Sequence, residues 1–246
     1  MDGDSDIGAV AAVIGEPARA RVLMALGDGR ALPATVLAAE AGVAASTAST
    51  HLARLVDAGL LRVRIEGRHR YYELAGPQVA AALEALARIA PAAPVRSLKQ
   101  GTKAHAVRRA RTCYDHLAGR LGVGLMSWLL QQRALVGHGT DAEDRLAAPG
   151  QAVDYELGPE APRAFAQLGI DLPEVLGRPR RRPLLRYCTD WSEQRHHLAG
   201  ALGATVLESF VDSGWIRRAQ ASRAVHVTLE GRSALGDVGL DSYALE

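Results

Sequence analysis

Two cysteines and two histidines stand at matching places in this chain. His116 directly precedes Leu117-Ala118-Gly119, and His197 directly precedes Leu198-Ala199-Gly200. The cysteines sit in related phrases, Arg111-Thr112-Cys113-Tyr114-Asp115 and Arg186-Tyr187-Cys188-Thr189-Asp190. Two thiolates and two imidazoles suit Zn(II) or another borderline divalent ion, so Cys113, His116, Cys188 and His197 form a candidate metal set, with Asp115 or Asp190 as further acidic groups. If the segment is helical, the spacing of Cys113 and His116 puts both on one face. Two other readings stay open. The thiols could join on oxidation and act as a redox switch. Alternatively, the cysteines could be small buried residues while His and Asp tie helix ends together by hydrogen bonds.

A second group of residues suits contact with DNA. Ser46, Thr47, Ser49, Thr50, His51 and Arg54 fall on the face of a short helical segment opposite Leu52, Leu55 and Val56. Short hydroxyls and one long cation at the start of a helix can hydrogen-bond base edges and phosphates in a major groove. Arg68 and Arg70 flank His69 at a hairpin tip and could reach flanking backbone or the minor groove. Between Ser46 and Tyr72 five arginines face Asp57 and Glu66, a local balance of +3 (five minus two) in a chain whose net charge is only +2.

The elements that must position these groups follow from periodicity and breakers. Ser5 or Asp6 caps a first helix carrying Ile7, Val10, Val13 and Ile14, and Pro17 opens the second. A third helix is expected over 33–41, stopped by Gly42, and a fourth over 46–58, capped by Ser46. The alternation in 60–65 predicts a half-buried strand, Glu66-Gly67 a turn, and 68–74 the return strand. An Ala-rich helix over 78–89 closes the unit. Helix, turn, helix and hairpin in that order make a winged helix.

Residues 42–74, GVAASTASTHLARLVDAGLLRVRIEGRHRYYEL, resemble the ArsR-type winged-helix regulators. The shared features are the Ser-Thr-x-Ser-x-His-Leu run, the Ala-Gly-Leu before the strand, and the Glu-Gly-Arg wing followed by Tyr-Tyr. The resemblance covers about residues 7–90. It implies a homodimer joined through the first and last helices of this unit, binding an inverted-repeat operator, usually as a repressor. Metal-sensing members often carry cysteines in the helix before the recognition segment, or Asp and His on the closing helix. Here the first has no cysteine and the second offers only Glu84, so metal sensing is not inherited with the resemblance.

The second half echoes the first. Leu37-Ala38 to Gly42 recurs as Leu117-Ala118 to Gly122 and Leu198-Ala199 to Gly203. Wing-like strands follow, at Val153 to Leu157 and from Arg217-Arg218 through Ala221 to Leu229. This reading gives two shortened winged-helix-like repeats, about 111–172 and 186–241, without the Ser/Thr-rich segment. Trp128, Trp191 and Trp215 all lie here, as core residues or as the lining of a small-molecule pocket.

Composition bounds the rest. Of 246 residues, 48% are hydrophobic and 23% charged, which fits a folded chain. Two basic runs stand out: Arg96, Lys99, Lys103, Arg108, Arg109 and Arg111, then Arg178, Arg180, Arg181, Arg182 and Arg186. They suit phosphate or a solvated linker equally. The acidic start MDGDSDIG lacks a signal-peptide pattern, and no apolar stretch reaches the ~18 residues of a membrane span, so a cytoplasmic location is expected. No Gly-rich phosphate loop, nucleophile elbow or His-Glu-x-x-His helix is present, so no enzyme is expected.

The expected fold is mainly α with small β wings (α+β). A winged helix-turn-helix over 1–90 is followed by a basic linker or linker helix over 91–110 and an effector and dimerisation domain over 111–246. The expected function is a sequence-specific transcriptional regulator binding double-stranded DNA as a homodimer, a repressor modulated by an effector in the second half. The effector is a metal or a small molecule. The alternatives are a winged-helix protein-interaction scaffold and a thiol-based redox regulator.

Overall fold

The computed structural model describes residues 4–91, 94, 97–138, 154–180, 182–219, 222–240 and 242–245. Arg96, Val153, Arg181 and Ala221 of the readings above, and the Met-Asp-Gly start, lie outside them. The chain forms two compact units, Met1–Leu83 and Glu84–Glu246. Their boundary falls inside a helix rather than in the Pro-containing segment near residue 90.

In the first unit, α1 (Ile7–Ile14) is capped by Asp6, whose carboxylate accepts the Ala9 N–H at 2.9 Å. In α2 (Pro17–Ala25) the Glu16 carboxylate accepts the Arg19 N–H, and Pro17 occupies the first turn, where no donor is needed. Then come β1 (Leu32–Pro33), α3 (Ala34–Ala41), α4 (Ala45–Asp57), β2 (Leu61–Glu66) and β3 (His69–Leu74). The three strands pair antiparallel in the order β1-β3-β2. Leu23, Leu26, Leu37, Leu52 and Leu55 are fully buried and make the core.

Three local expectations change. Pro33 belongs to β1, not to a helix, because it sits opposite Tyr71 of β3. Ser46 does not cap α4. The first helical bond runs from the Ala48 N–H to the Ala44 carbonyl, so winding starts earlier and Ala44 holds the cap position without a side-chain bond. Strand β2 is not half-buried, since every residue beyond Leu61 is exposed, whereas β3 is half-buried from Tyr71 to Glu73. The wing turn is Gly67-Arg68, with Glu66 and His69 as the last pair and Gly67 at φ +59°, a conformation open to glycine.

Helix α5 (Pro77–Ile89) carries the unit boundary. The second unit continues with α6 (Leu98–Arg109), β4 (Arg111–Cys113), β5 (His116–Ala118), α7 (Gly119–Gln131), β6 (Leu135–His138), β7 (Asp154–Leu157), α8 (Ala161–Gln167) and α9 (Leu172–Gly177). It ends with β8 (Arg186–Thr189), β9 (His196–Ala199), α10 (Gly200–Asp212), β10 (Ile216–Arg218), β11 (Val225–Val227), α11 (Leu229–Asp237) and α12 (Ser242–Leu245).

Two copies of one pattern are visible here: hairpin, 13-residue helix, hairpin, helix. The internal order differs from that of the first unit. Leu37-Ala38 lies on helix α3, but Leu117-Ala118 and Leu198-Ala199 lie on strands β5 and β9. Arg111 opens strand β4, two residues after the end of α6. The reason lies in Tyr114, whose backbone turns left-handed at φ 57° and folds Arg111–Cys113 back on His116–Ala118.

The copies interlock. Strand β5 packs on α10, β9 packs on α7, and β5 lies beside β9. Glycine permits this closeness. A Cβ on Gly122 would lie 2.5 Å from the Leu117 carbonyl and 3.5 Å from His197 Cβ. One on Gly203 would lie 2.7 Å from the Leu198 carbonyl and 3.0 Å from His116 Cβ. Leu121, Leu129, Phe165, Leu202 and Phe210 fill the shared core without solvent exposure.

Candidate functional site

Helix α4 buries Ala48, Leu52 and Leu55, and this row fixes what the opposite face presents. Ser46, Thr47, Ser49, Thr50 and Arg54 are exposed. The Ser49 hydroxyl donates to the Ala45 carbonyl at 3.0 Å and the Thr50 hydroxyl to the Ser46 carbonyl at 3.3 Å. Both oxygens keep lone pairs able to accept from base amino groups. The structure does not bring His51 into this row. It is half-buried, with Nδ1 3.6 Å from the Glu16 carboxylate.

On the wing, Arg62 pairs with Glu73 at 3.4 Å and Arg64 with Glu66 at 3.0 Å. Arg54, Arg68 and Arg70 have no ion-pair partner among the described residues. Their charge is therefore available to phosphate. The basic runs further along are engaged differently. Arg108 and Arg111 cover the Trp191 ring at 5.1 and 4.7 Å, Arg109 donates to the Leu245 carbonyl, and Arg178 pairs with Glu174.

The two Cys–His pairs do meet. One ligand atom from each of Cys113, His116, Cys188 and His197 lies within 4.8 Å of every other. The helical placement of Cys113 and His116 is corrected: they face each other across the β4–β5 hairpin, and Cys188 faces His197 across β8–β9 in the same way. Directly opposed residues share one face of a hairpin. The β5–β9 contact then joins the two faces.

Each imidazole faces a carboxylate, and only His116 is hydrogen-bonded to its own. His116 Nδ1 is 3.2 Å from Asp115 Oδ1, and His197 Nδ1 is 3.4 Å from Asp190 Oδ2. Nε2 of His116 and both ring nitrogens of His197 are buried without a hydrogen-bond partner among the described residues. The Cys188 thiol and burial push Cys113 up to about 11, while the same contact lowers Cys188. Burial opposes a charged imidazole at His116, but Asp115 and the Cys113 sulfur outweigh it and raise that pKa to about 9.

An arginine clamps each carboxylate: Arg182, from the segment between the copies, and Arg111, from the copy opposite Asp190. Arg182 donates to Asp115. Arg111, fully buried, donates to Asp190 at 2.8 Å, and Asp190 also accepts the Gly119 N–H at 2.6 Å and the Ser192 hydroxyl at 2.7 Å. Burial of Asp190 is outweighed by His197, Arg111 and Ser192, and the carboxyl is held far below its usual range. Arg111 also lies 3.6 Å from Glu84 of α5, which accepts from Arg223 at 2.6 Å. Burial pushes the Glu84 carboxyl up, yet Arg223 and Arg111 bring it below the ordinary value. The sequence reading missed this network. Its one available signal was the recurrence of Arg and Asp around both cysteines.

Among the three tryptophans, Trp128 lines a cavity of about 200 Å³ with Arg120, Glu193 and Arg195. That is smaller than the roughly 300–1,000 Å³ of sites that enclose organic ligands. Trp215 packs on Phe210 in the core.

An exposed polar helix face beside a basic wing defines a winged-helix DNA-binding protein. Residues 14–64 match the family model described as a helix-turn-helix domain. Over 231 residues the chain is 39% identical to the uncharacterized HTH-type transcriptional regulator YdfF of Bacillus subtilis (strain 168), covering 93% of this chain and 95% of that protein. The chain belongs to the HTH-type transcriptional regulators. Over 86 residues it is 36% identical to the HTH-type transcriptional regulator CmtR of Mycobacterium tuberculosis (strain H37Rv), 35% of this chain and 72% of that one. The NMR structure of the cadmium metal-sensor CmtR from Mycobacterium tuberculosis is 34% identical, covers 37% of this chain and 94% of that chain, and superposes with a TM-score of 0.31. Among the described residues, no helix is long and apolar enough to cross a membrane.

Proposed function

We propose that this regulator is a repressor that reads an inverted-repeat operator as a homodimer. In this reading Ser46, Thr47, Ser49, Thr50 and Arg54 enter the major groove, and Arg68 and Arg70 hold the flanking backbone. The carrying observation is the exposed row on α4 with unpaired arginines beside it. Dimerisation is supported by α1, which buries none of its apolar residues, and by Ile89 on α5, 81% exposed. The effector is a divalent ion at Cys113, His116, Cys188 and His197. CmtR, described as a cadmium metal-sensor, matches only about a third of this chain, so the ion reading rests on the Cys–His cluster itself. Ion binding would favour a dimer geometry unsuited to the operator, and by linkage operator DNA would weaken ion binding equally.

The test is selection of duplex sites from a random pool by the full chain, followed by anisotropy titrations. The logarithm of the affinity should fall linearly with the logarithm of salt concentration, because phosphate contacts release counterions. Arg54→Ala should cost about 1–3 kcal/mol. Enrichment of no sequence would favour the interaction-scaffold reading. Unchanged binding by Arg54→Ala would remove α4 from the interface.

A further inference from the structure

We propose that one thiophilic dication of the Zn(II), Cd(II) or Co(II) class is held within a single chain by Cys113, His116, Cys188 and His197, with Asp115 and Asp190 as positioning residues that fix the two imidazoles. The inference rests on the reading of this cluster as the effector site, and it adds the ion class, the coordination and the residues that prepare it.

Geometry comes first. A tetrahedral zinc ion with ligands at roughly 2.0–2.3 Å keeps neighbouring ligand atoms ~3.3–3.8 Å apart. The four atoms here already lie within 4.8 Å of one another, so side-chain adjustments of about an ångström close the site. No backbone rearrangement is required, because both Cys–His pairs are cross-strand partners in matching hairpins.

Donor chemistry comes second. At His116 the Nδ1 contact with Asp115 leaves the Nε2 lone pair for an ion, and at His197 either ring nitrogen is free of hydrogen bonds among the described residues and can ligate. Both Nε2 atoms are buried without a hydrogen-bond partner among the described residues, which is costly for a polar atom unless something binds it. A carboxylate behind a ligating imidazole fixes its tautomer and raises its basicity. Asp190 is fully buried and Asp115 is 34% exposed in its side chain, so the two supports differ in rigidity.

Charge comes third. Loss to solvent of one proton from each thiol and of the second ring proton from His116 leaves two thiolates and two neutral imidazoles, so the four ligands and a dication together carry no net charge. Two sulfurs and two imidazoles exclude Mg(II) and Ca(II), which take six or more oxygens. Four protein ligands leave no open position, as in sites that hold structure or sense an ion rather than catalyse. The ligands come equally from the two copies, so the ion fastens one to the other.

The experiment is Co(II) titration of the reduced full chain, followed by absorption and by native mass spectrometry. We expect one ion per chain, sulfur-to-cobalt charge transfer, tetrahedral ligand-field bands, and displacement by Zn(II) but not by Mg(II). Cys113→Ser and His197→Ala should lose the tetrahedral spectrum. Asp115→Asn should keep one ion per chain, shift the ligand-field bands and weaken affinity about 10–100-fold, with Asp115→Glu restoring it. Asp115 is the safer test, since Asp190→Asn removes a buried partner of Arg111. An octahedral spectrum, no binding, or a stable Cys113–Cys188 disulfide in freshly reduced protein would overturn the site. Unchanged affinity and bands in Asp115→Asn would overturn the positioning role. Operator anisotropy on the same samples separates the two readings. Ion binding without a change in operator affinity removes the effector role and leaves the site. Operator binding without ion uptake removes both the site and the ion as effector, and leaves the DNA-binding reading.

Discussion

At the scale of single residues, close approach decides more than side-chain chemistry. Gly203 allows α10 to reach the backbone of β9 and the side chain of His116. Gly203→Ala would put a Cβ 2.7 Å from the Leu198 carbonyl, and the strain of such overpacking is about 1–3 kcal/mol. We expect a lower thermal midpoint and weaker cobalt binding together, because the same contact sets His116. Gly177→Ala is the control, since nothing lies within 4 Å of a Cβ there. The Ser/Thr row of α4 was legible from residue types and the Leu52–Leu55 spacing. The inward turn of His51 was not, because its neighbour Glu16 caps another helix.

At the scale of elements, the first unit was readable, and in the second the wing-like strands were readable while the start of each copy was not. Ala-Leu-Gly-rich stretches are compatible with helix or buried strand, and periodicity alone does not separate short apolar runs. The hairpin β4–β5 wins because Tyr114 reverses the chain and because Leu117 and Ala118 are buried on a sheet. Helix α5 supplies a second test. Glu84 sits below its ordinary value of 4.5, so its contribution is present above that pH and is lost as pH falls through the lower folded value. Acid should therefore lower the urea midpoint of the second unit progressively below pH 4.5. Glu84→Gln should be less stable at neutral pH by about 3–5 kcal/mol, since Arg111 and Arg223 lose a buried partner. Its midpoint should also respond less to acid than that of the wild type. An identical acid response in both proteins would assign the effect to other carboxylates.

For the whole molecule, two consequences follow from mass action and from exposed apolar surface. An ion that binds only the folded chain stabilises it, by about 2.7 kcal/mol when present at a hundred times its dissociation constant. Chelation of ion-loaded protein should lower the thermal midpoint, and re-addition of Zn(II) should restore it. Calorimetry with and without chelator checks this directly. Ile89 is 81% exposed and Ile7 76%, on helices the ArsR resemblance assigns to dimerisation. Ile89→Glu should shift sedimentation toward monomer and weaken operator binding, since each half-site contact would then form without its partner. A variant that remains dimeric would place the interface elsewhere.

Sequence alone determined the local elements and the kind of chemistry available. Caps, glycine stops, helical spacing and the Glu-Gly-Arg wing are short-range signals, and they were enough to specify a winged helix whose surface suits DNA. The recurrence of Cys, His and Asp around Leu-Ala-Gly was likewise visible as a pattern. Tertiary structure decided whether that pattern is a site. Cys113 and His116 meet across a hairpin rather than along a helix, and they meet Cys188 and His197 only because β5 and β9 lie side by side. That contact depends on Gly122 and Gly203 admitting the opposite copy, and on the Arg111–Asp190 bond between copies. Contacts between residues so distant in the chain are set by how two packed surfaces fit, and no local spacing encodes that fit.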